Sequence, residues 1–200
     1  MITKSSLAIA LSKLKTFEKP KAKAEQYATD SETAAEVLWF AFMKGDIKDK
    51  IIADLGCGTG ILGIGAILLG AKKVFFIDND ENALRICKEN AKNFKNAEFF
   101  LSDIKNFDKK VDVVIENPPF GTKIRHSDIE FLKKAFNIAD VIYSFHKLET
   151  KEFIEKFAEK SRFLATNVLE FRMPLKATQK FHKKRIERIN VGCWRFEHTF

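Results

Sequence analysis

The feature that most restricts the fold of this chain is a short apolar run followed at once by a glycine-rich turn. The run is Ile51 to Leu55, and the turn is Gly56-Cys57-Gly58-Thr59-Gly60. An uninterrupted apolar run of this length is typical of a strand buried on both faces, as in a parallel sheet. Glycine adopts positive φ and lets a ligand approach the backbone without a Cβ clash. The sequence therefore predicts a strand, a tight turn at its carboxyl end, and a helix that begins at Ile61.

The rest of the chain alternates between short apolar runs and helical patterns. This alternation predicts an α/β fold, a Rossmann-like, seven-stranded, mostly parallel sheet with helices on both faces. The last two strands are separated by a basic, Pro-containing stretch without a helical pattern, so we expect them to form a C-terminal antiparallel hairpin. We expect one domain over residues 1–200, with an N-terminal helical extension over 1–45. The predicted strands are 51–55, 73–77, 98–101, 111–115, 140–145, 163–171 and 189–196, and the predicted helices are 1–17, 32–43, 61–69, 81–93, 127–136 and 151–160.

The positive charge of the chain is concentrated in two segments. The formal net charge is +8. Residues 1–23 contain six lysines and one glutamate, and residues 172–188 contain seven lysines or arginines and one glutamate. This distribution favours a polyanion that docks at defined places on the protein. The alternative interpretation is a solvated, lysine-rich surface of the kind found in thermophile proteins.

The composition excludes several classes of protein. With 46% hydrophobic and 31% charged residues, the chain is expected to be globular rather than disordered. No apolar run approaches the roughly 18–20 residues of a membrane span, and the N-terminus lacks the apolar core of a signal peptide. Three cysteines without CxxC spacing argue against disulfides and a structural zinc site. We therefore expect a cytoplasmic protein with no metal site, whose cysteines are buried as small hydrophobic residues.

The glycine turn is compatible with two kinds of cofactor. Residues Gly58 to Gly63 match the dinucleotide fingerprint GxGxxG, and Asp78 stands about 20 residues further on, where an acid holds a ribose diol. A methyl donor is favoured because Asp54 precedes the first glycine by two residues, as in the E/D-x-G-x-G-x-G pattern of class I methyltransferases. Asp103, after the third predicted strand, suits the adenine amino group of S-adenosylmethionine, and the N–H groups of the turn suit its carboxylate.

The tetrapeptide Asn117-Pro118-Pro119-Phe120 follows the fourth predicted strand, at the same edge of the sheet as the glycine turn. The exocyclic amine of a base is a poor nucleophile because its lone pair is delocalised into the ring. The side-chain oxygen of Asn117 and the carbonyl of Pro118 can accept its two N–H groups and stabilise the positive charge that develops on nitrogen. The prolines fix the loop, and Phe120 offers a face for a flipped base. We predict that these four residues are catalytic in the methylation of a planar amine.

Six stretches of the chain form a set that is found together in one family. They are Phe17-Glu18-Lys19-Pro20-Lys21, Glu25-Gln26-Tyr27-Ala28-Thr29, Asp54 to Gly60, Asn117 to Lys123, Tyr143-Ser144-Phe145-His146-Lys147 and Lys180-Phe181-His182-Lys183-Lys184. With them the sequence resembles, over nearly its whole length, the methyltransferase-like protein five family in an archaeal-looking form. Members of this family are adenine-N6 methyltransferases of small-subunit ribosomal RNA. The second and last stretches are the narrower signals, because many methyltransferases share the glycine turn and the catalytic tetrapeptide.

The resemblance implies a class I methyltransferase that uses S-adenosylmethionine and acts on adenine N6 in small-subunit rRNA. It also implies a small zinc-binding activator subunit that covers an apolar edge of the sheet. The sequence departs from the vertebrate pattern at Ala28, where proline is usual, and at Thr59, where a second cysteine can stand. Position by position, the cofactor contacts are assigned to Gln26, Thr29, Asp54, Gly56, Gly58, Thr59, Gly60, Ile61, Asp78, Asn79, Asp103, Ile104 and Asn117.

Basic residues are the candidates for contacts with RNA. The segment 172–188 is predicted to bind the substrate, and His182 within it is a phosphate contact rather than a catalyst. His146, after the fifth predicted strand, either touches the substrate or is an ordinary hydrogen-bonded histidine. The candidate RNA-binding residues are Lys123, Lys180, His182, Lys183, Lys184 and Arg185.

The residues alone leave other functions open. Guanine-N2 rRNA methyltransferases also use Asn-Pro-Pro-Phe, and only the flanking resemblance argues against them. Glutamine-N5 methyltransferases of translation release factors usually have Tyr at the fourth position, so Phe120 and the basic segment argue against that class. A nucleotide-binding dehydrogenase would leave the tetrapeptide unexplained, and a non-catalytic RNA-binding module would leave the glycine turn unexplained.

Overall fold

The structure, a computed structural model, describes residues 2–17, 29–119, 127–175 and 187–199. No helix in these ranges has the length and apolarity needed to cross a membrane. Three-residue 3-10 turns occur at Ile104–Asn106 and Leu148–Thr150. The helices are α1 (Lys4–Ser12), α2 (Ser31–Met43), α3 (Ile61–Leu68), α4 (Glu81–Asn90), α5 (Ser127–Ile138) and α6 (Lys151–Lys160). The strands are β1 (Ile51–Leu55), β2 (Lys73–Asp78), β3 (Ala97–Leu101), β4 (Val113–Glu116), β5 (Val141–Lys147), β6 (Phe163–Leu175) and β7 (Glu187–His198).

The seven strands form one sheet in the order β3-β2-β1-β4-β5-β7-β6. Strands β1 to β5 are parallel to one another, and β7 lies antiparallel between β5 and β6. The strand order reverses between β1 and β4, which is where ligand sites of such sheets form, beyond the carboxyl ends of the strands. The predicted fold class, with its C-terminal antiparallel hairpin, is confirmed.

Apolar side chains pack against both faces of this sheet. Helices α1 to α4 cover one face, and α5 and α6 cover the other. In β1, Ile52 faces the first layer, whereas Ala53 and Leu55 face the second, as strand alternation requires. The three cysteines are free and buried, as predicted.

Several helix boundaries follow from side-chain hydrogen bonds. Asp30 caps α2 by accepting the backbone N–H groups of Glu32 and Thr33. The prediction of a helix that continues to Phe17 is wrong, since α1 ends at Ser12. The backbone N–H and carbonyl of Lys15 bind the side chain of Asn90 on α4, so this stretch has left the helical path.

The end of α4 differs from the prediction, whereas α6 has its predicted bounds. Helix α4 ends at Asn90 rather than Asn93, because the chain turns there and the N–H of Phe94 bonds to the carbonyl of Ala91. Thr150 stands at the N-cap position of α6, but its hydroxyl donates to the carbonyl of Lys147 and caps no N–H of the helix.

The hairpin of β6 and β7 extends past the end of β5. Lys147, the last residue of β5, pairs with Val191, and beyond that point Arg172 still pairs with Asn190. Both strands are longer than predicted, because charged residues such as Arg172 interrupt the apolar pattern although the backbone pairing continues. Since β5 is parallel to β1 and β4, this arm projects at the edge of the sheet where β1 and β4 end. The residues 176–186 that connect its two strands lie outside the described part of the chain.

A buried ionic cluster joins the turn after α2 to the C-terminal strands. The hydroxyl of Tyr143 donates to Asp46 Oδ2 at 2.6 Å, and Arg195 Nε donates to the same oxygen at 2.8 Å. Arg195 also donates to Glu197 at 2.7 Å and to the hydroxyl of Thr166 at 2.9 Å. Asp46 is therefore the acceptor that ties β5 and β7 to the preceding helical layer.

We predict that Asp46→Ala destabilises the protein more than Tyr143→Phe does. Removing the carboxylate leaves the Arg195 guanidinium buried with fewer acceptors, a loss near the lower end of about 3–5 kcal/mol because Glu197 still pairs with it. Removing only the Tyr143 hydroxyl forfeits one hydrogen bond to a charged group, about 1.5–3 kcal/mol. Urea unfolding of both variants measures the two losses, and equal losses would contradict the central role of Asp46.

Candidate active site

The register of three neighbouring strands brings the predicted site residues together. Leu55, the last residue of β1, pairs with Glu116 on one side and with Ile77 on the other. The residues that follow them are Gly56, Asn117 and Asp78. The glycine turn, the catalytic loop and the ribose-binding acid therefore leave adjacent parallel strands at the same level of the sheet.

Glycine is required in the turn for both conformation and space. Gly56, Gly58 and Gly60 have φ of 66°, 55° and 90°, which confirms the positive φ expected from the sequence. A Cβ on Gly60 would lie 2.5 Å from the sulfur of Cys87, and one on Gly56 would lie 2.8 Å from the ring of Phe131. A side chain at either position would clash with the packed core.

Asp54 stabilises the first turn of α3. Its Oδ2 accepts the backbone N–H of Gly63 at 2.8 Å, and the carboxyl is almost fully buried. Burial raises the pKa of Asp54 to about 7. A Cβ on Gly63 would lie 2.3 Å from the ring of Phe76, so the close approach of helix and strand needs this glycine. The described contact of Asp54 is internal, and its predicted contact with the cofactor stays a prediction.

Asp78 holds the glycine turn from the neighbouring strand. Its Oδ2 accepts the N–H of Gly58 and its Oδ1 accepts the N–H of Asp80, both at 2.8 Å. Burial raises the pKa of Asp78 above its usual range. A carboxylate has four lone pairs, and the backbone N–H groups of Gly58, Asp80 and Asn79 use three of them, so one is left for a hydroxyl of a ribose diol. Asn79, beside it, is exposed.

The other predicted cofactor contacts surround these residues. Thr59 is buried in the turn, and its carbonyl accepts the side-chain N–H of Asn90 at 3.0 Å. Ile61 begins α3. Asp103 is exposed just after β3, where its Oδ1 accepts the N–H of Lys105, and Ile104 beside it is buried. These four residues lie on the same edge as the glycine turn, and their contacts with a cofactor stay predictions.

Asn117 presents a buried acceptor that no described residue uses. Its Nδ2 donates to the hydroxyl oxygen of Thr29 at 2.9 Å, which fixes the rotation of the amide. Its Oδ1 is buried and has no hydrogen-bond partner within the described ranges. Pro118 is buried and Pro119 half-buried, so the loop backbone is held by packing as well as by proline geometry. The arrangement can accept an N–H group from a ligand.

The N-terminal extension contacts the glycine turn as well as Asn117. The ring of Phe17 lies 3.4 Å from the place where a Cβ on Gly58 would stand. Asn90 binds the backbone of Lys15 and the carbonyl of Thr59, and so links the extension to the glycine turn. No sequence pattern pointed to Asn90, because it stands within an ordinary helical pattern.

A chain of buried polar groups lies directly behind Asn117. Glu116 is fully buried and its Oε1 accepts the hydroxyl of Ser144 at 2.8 Å. Ser144 Oγ lies 2.8 Å from Nε2 of His146, whose ring is also buried. Burial raises the pKa of Glu116 to about 8 and lowers that of His146. The suggestion that His146 touches the substrate is wrong, and the interpretation as a hydrogen-bonded core histidine is confirmed.

Some of the predicted site residues lie outside the described ranges. They are Gln26, Phe120, Lys123, Lys180, His182, Lys183, Lys184 and Arg185. Within the described ranges, no group of three or more His, Cys, Asp or Glu side chains is arranged to hold a metal ion.

The residues present fit S-adenosylmethionine. The glycine turn ends β1 with three residues at positive φ, the Asp78 carboxyl follows the neighbouring strand β2, and the buried Oδ1 of Asn117, which has no partner among the described residues, follows β4. A dinucleotide would use the first two features and leave the third without a purpose.

Comparisons with known proteins show which family the chain belongs to. The family model described as ribosomal protein L11 methyltransferase (PrmA) matches residues 33–118, which include the glycine turn and Asn117. The rRNA N(6)-adenosine-methyltransferase METTL5 of Danio rerio is 38% identical over 202 residues, which cover 96% of this chain and 98% of the relative. The Drosophila melanogaster relative of the same name is 35% identical and covers 90% of each chain.

A solved structure shows the same architecture. The crystal structure of protein PH1948 from Pyrococcus horikoshii has a TM-score of 0.93 and 46% sequence identity, and the match covers all of both chains. Similarity at this level, together with the METTL5 relatives, identifies an S-adenosylmethionine-dependent N-methyltransferase. The chain therefore belongs to the METTL5 family, whose named members are rRNA N6-adenosine-methyltransferases.

Proposed function

We propose that the protein methylates the exocyclic N6 amine of an adenine in small-subunit rRNA. The observation that supports the chemistry best is the buried Oδ1 of Asn117 next to the glycine turn, which has no hydrogen-bond partner in the described part of the chain. Adenine is supported by the names of the METTL5 relatives, and the small subunit by the family resemblance of the sequence.

The Asn117 loop provides what methylation of a conjugated amine requires. Oδ1 of Asn117 and the carbonyl of Pro118 accept the two N–H groups of the amine, which directs its lone pair away from the ring. Both acceptors also stabilise the positive charge that develops on nitrogen. A strong general base is unnecessary, because the product ammonium is acidic and loses its proton to water. This agrees with a loop in which His146 is buried rather than directed at the substrate.

The strand ends on the other side of the site hold the methyl donor. S-adenosylmethionine supplies an electrophilic methyl group on its sulfonium. The donor lies against the glycine turn, and Asp78 accepts a ribose hydroxyl through the lone pair that its bonds to backbone N–H groups leave free. Asp103 and Ile104 contact the adenine ring of the donor.

The position and charge of the arm of β6 and β7 favour RNA as the substrate. It projects at the catalytic edge and presents the exposed side chain of Arg172. Arg172, the first basic residue of segment 172–188, therefore stands on a strand that extends past the end of β5. Lys183 and Lys184 of this segment, with His182, are proposed to bind phosphates, and Lys123 is proposed to do so from the catalytic loop.

The exposed apolar side chains of the outer edge strand β3 favour a partner subunit that binds there. Leu101 is 55% exposed, and Phe99 and Phe100 are only half-buried on a strand that pairs on one side only. An apolar edge strand of this kind is normally covered. We propose that the zinc-binding activator implied by the resemblance covers it, and that the enzyme works in the cytoplasm, where its rRNA substrate is.

We predict that Asn117→Ala lowers methyl transfer by about 10²–10³-fold or more, the loss found when one acceptor or donor of developing charge is removed. Donor binding survives, because Asn117 is only one of the predicted cofactor contacts and the glycine turn and Asp78 are unchanged. Calorimetry with S-adenosylmethionine and a tritium-transfer assay on rRNA measure the two effects. The matched control is Asn137→Ala, an exposed asparagine on α5.

Wild-type turnover by Asn117→Ala would refute the assignment of the loop. Mass spectrometry of the rRNA nucleosides identifies the product at the same time. If the product is N2-methylguanosine instead of N6-methyladenosine, the proposed methylation of an exocyclic amine stands, but the substrate base is guanine and not adenine.

We predict that the double variant Lys183→Glu/Lys184→Glu weakens RNA binding and flattens its salt dependence, by roughly 0.7–0.9 in slope for each phosphate that the protein no longer neutralises. The control is Lys72→Glu/Lys160→Glu, which makes the same charge change at the opposite edge of the sheet. Filter binding between low and moderate salt measures the slopes. An unchanged slope in the first variant would remove segment 172–188 from the RNA site.

A further inference from the structure

Four polar side chains form a continuous chain behind the catalytic loop, which we call the buried polar array. Glu116 on β4 contacts Ser144 on β5 at 2.8 Å, and Ser144 contacts His146 on the same strand at 2.8 Å. His146 Nδ1 then lies 3.7 Å from Asp128 Oδ2 on α5. The first three residues are at most 1% exposed.

The array is unexpected in a hydrophobic core. Glu116 Oε2 and His146 Nδ1 are buried and have no hydrogen-bond partner among the described residues. Apolar residues would pack here without this desolvation penalty. Buried polar groups that are left partly unsatisfied need an explanation, and such violations concentrate at functional sites.

The array connects the two ends of the catalytic segment. Glu116 directly precedes Asn117, and Asp128 lies in the first turn of α5, the helix that follows this segment. Ser144 is the register partner of Glu116, so the array continues a pairing that the sheet already makes. Trp194 on β7 packs its ring against His146 at a centroid distance of 5.8 Å and closes the array from behind.

We propose that the buried polar array positions Asn117 for methyl transfer without touching the substrate. This inference rests on the proposed function and adds Glu116, Ser144, His146 and Asp128 as positioning residues. Hydrogen bonds are directional, whereas apolar contacts tolerate sliding. The hydrogen bonds from Glu116 on β4 to Ser144 and on to His146 on β5, with the Asp128 carboxyl of α5 at 3.7 Å, therefore fix the end of β4. They also fix the place at which the Asn117 side chain begins.

The expected kinetic signature is a loss in kcat with little change in binding. A misplaced acceptor fails in the transition state, where the position of the amine must be correct to a fraction of an ångström. Donor binding depends on the glycine turn and on Asp78, whose hydrogen bonds the array does not share. A structural role alone would instead lower the melting temperature and leave kcat unchanged below it.

The test compares Ser144→Ala with Tyr143→Phe. Both variants delete one buried hydroxyl that bonds a carboxyl group, from adjacent residues of β5 on opposite faces of the sheet. We expect Ser144→Ala to lower kcat by roughly 10- to 100-fold with donor Kd and the KM for RNA within about twofold, measured well below the melting temperature. Tyr143→Phe is expected to lower the melting temperature and keep the wild-type kcat.

A conservative replacement provides the rescue. The side-chain amide oxygen of Glu116→Gln can still accept the hydroxyl of Ser144, so this variant is expected to retain most of the wild-type rate, and Glu116→Ala is not. Ser144→Ala and His146→Phe combined are expected to lose no more than the larger single loss, because members of one array act together. Unchanged kcat in Ser144→Ala, or an equal loss in Tyr143→Phe, would overturn the proposal.

A second measurement keeps the test independent of the substrate. The side-chain amide signal of Asn117 in a ¹⁵N-labelled protein is assigned from its absence in Asn117→Ala. Ser144→Ala should shift this signal and Tyr143→Phe should leave it in place, and the reverse result would refute positioning whether or not the base is adenine. If the wild-type enzyme methylates no adenine, the proposed function is refuted. The positioning of Asn117 by the buried polar array is still tested by the amide signal.

Discussion

The pairing of Leu55 with Glu116 is the contact on which the active site depends. It sets the carboxyl ends of β1 and β4 level, so that Gly56 and Asn117 follow as neighbours at the switch point of the sheet. A shift of one residue in this register would turn the side chains of β4 to the opposite faces. The hydrophobic layers on both faces prevent such a shift, since every residue of β4 is buried. The core thus fixes the geometry of a site to which it adds no catalytic side chain.

Asp54 and Asp78, near the ends of β1 and β2, hold the backbone of the site through hydrogen bonds. Asp54 and Asp78 each accept a backbone N–H from the turn or from α3, at 2.8 Å. The bond from its N–H to Asp78 holds Gly58 in a left-handed conformation that glycine adopts without steric cost. Both carboxyl groups thus hold the backbone in place, and only their remaining lone pairs can bind a ligand.

Local patterns predicted the strands, the positive φ of the turn and the placement of Asn117, because each follows from the residue types within a few positions. The sequence did not predict Asn90, Ser144 or Glu116 as site residues. Their roles depend on partners 31, 28 and 28 positions away, and such pairings leave no periodic signal. The extension of β6 and β7 was missed for a related reason. Around Arg172 on β6, the backbone hydrogen bonding to β7 continues although the charged residue interrupts the apolar pattern.

The bond between Asn117 and Thr29 joins residues 88 positions apart. During synthesis the N-terminal extension leaves the ribosome first, but its partner in the catalytic loop is made much later. Strand β1 begins only at Ile51, so no backbone pairing of the sheet involves Thr29. The sheet by itself therefore does not complete the catalytic amide, which also needs this contact from the extension. The enzyme gains a correctly turned Asn117 only when these two distant segments of its chain have met.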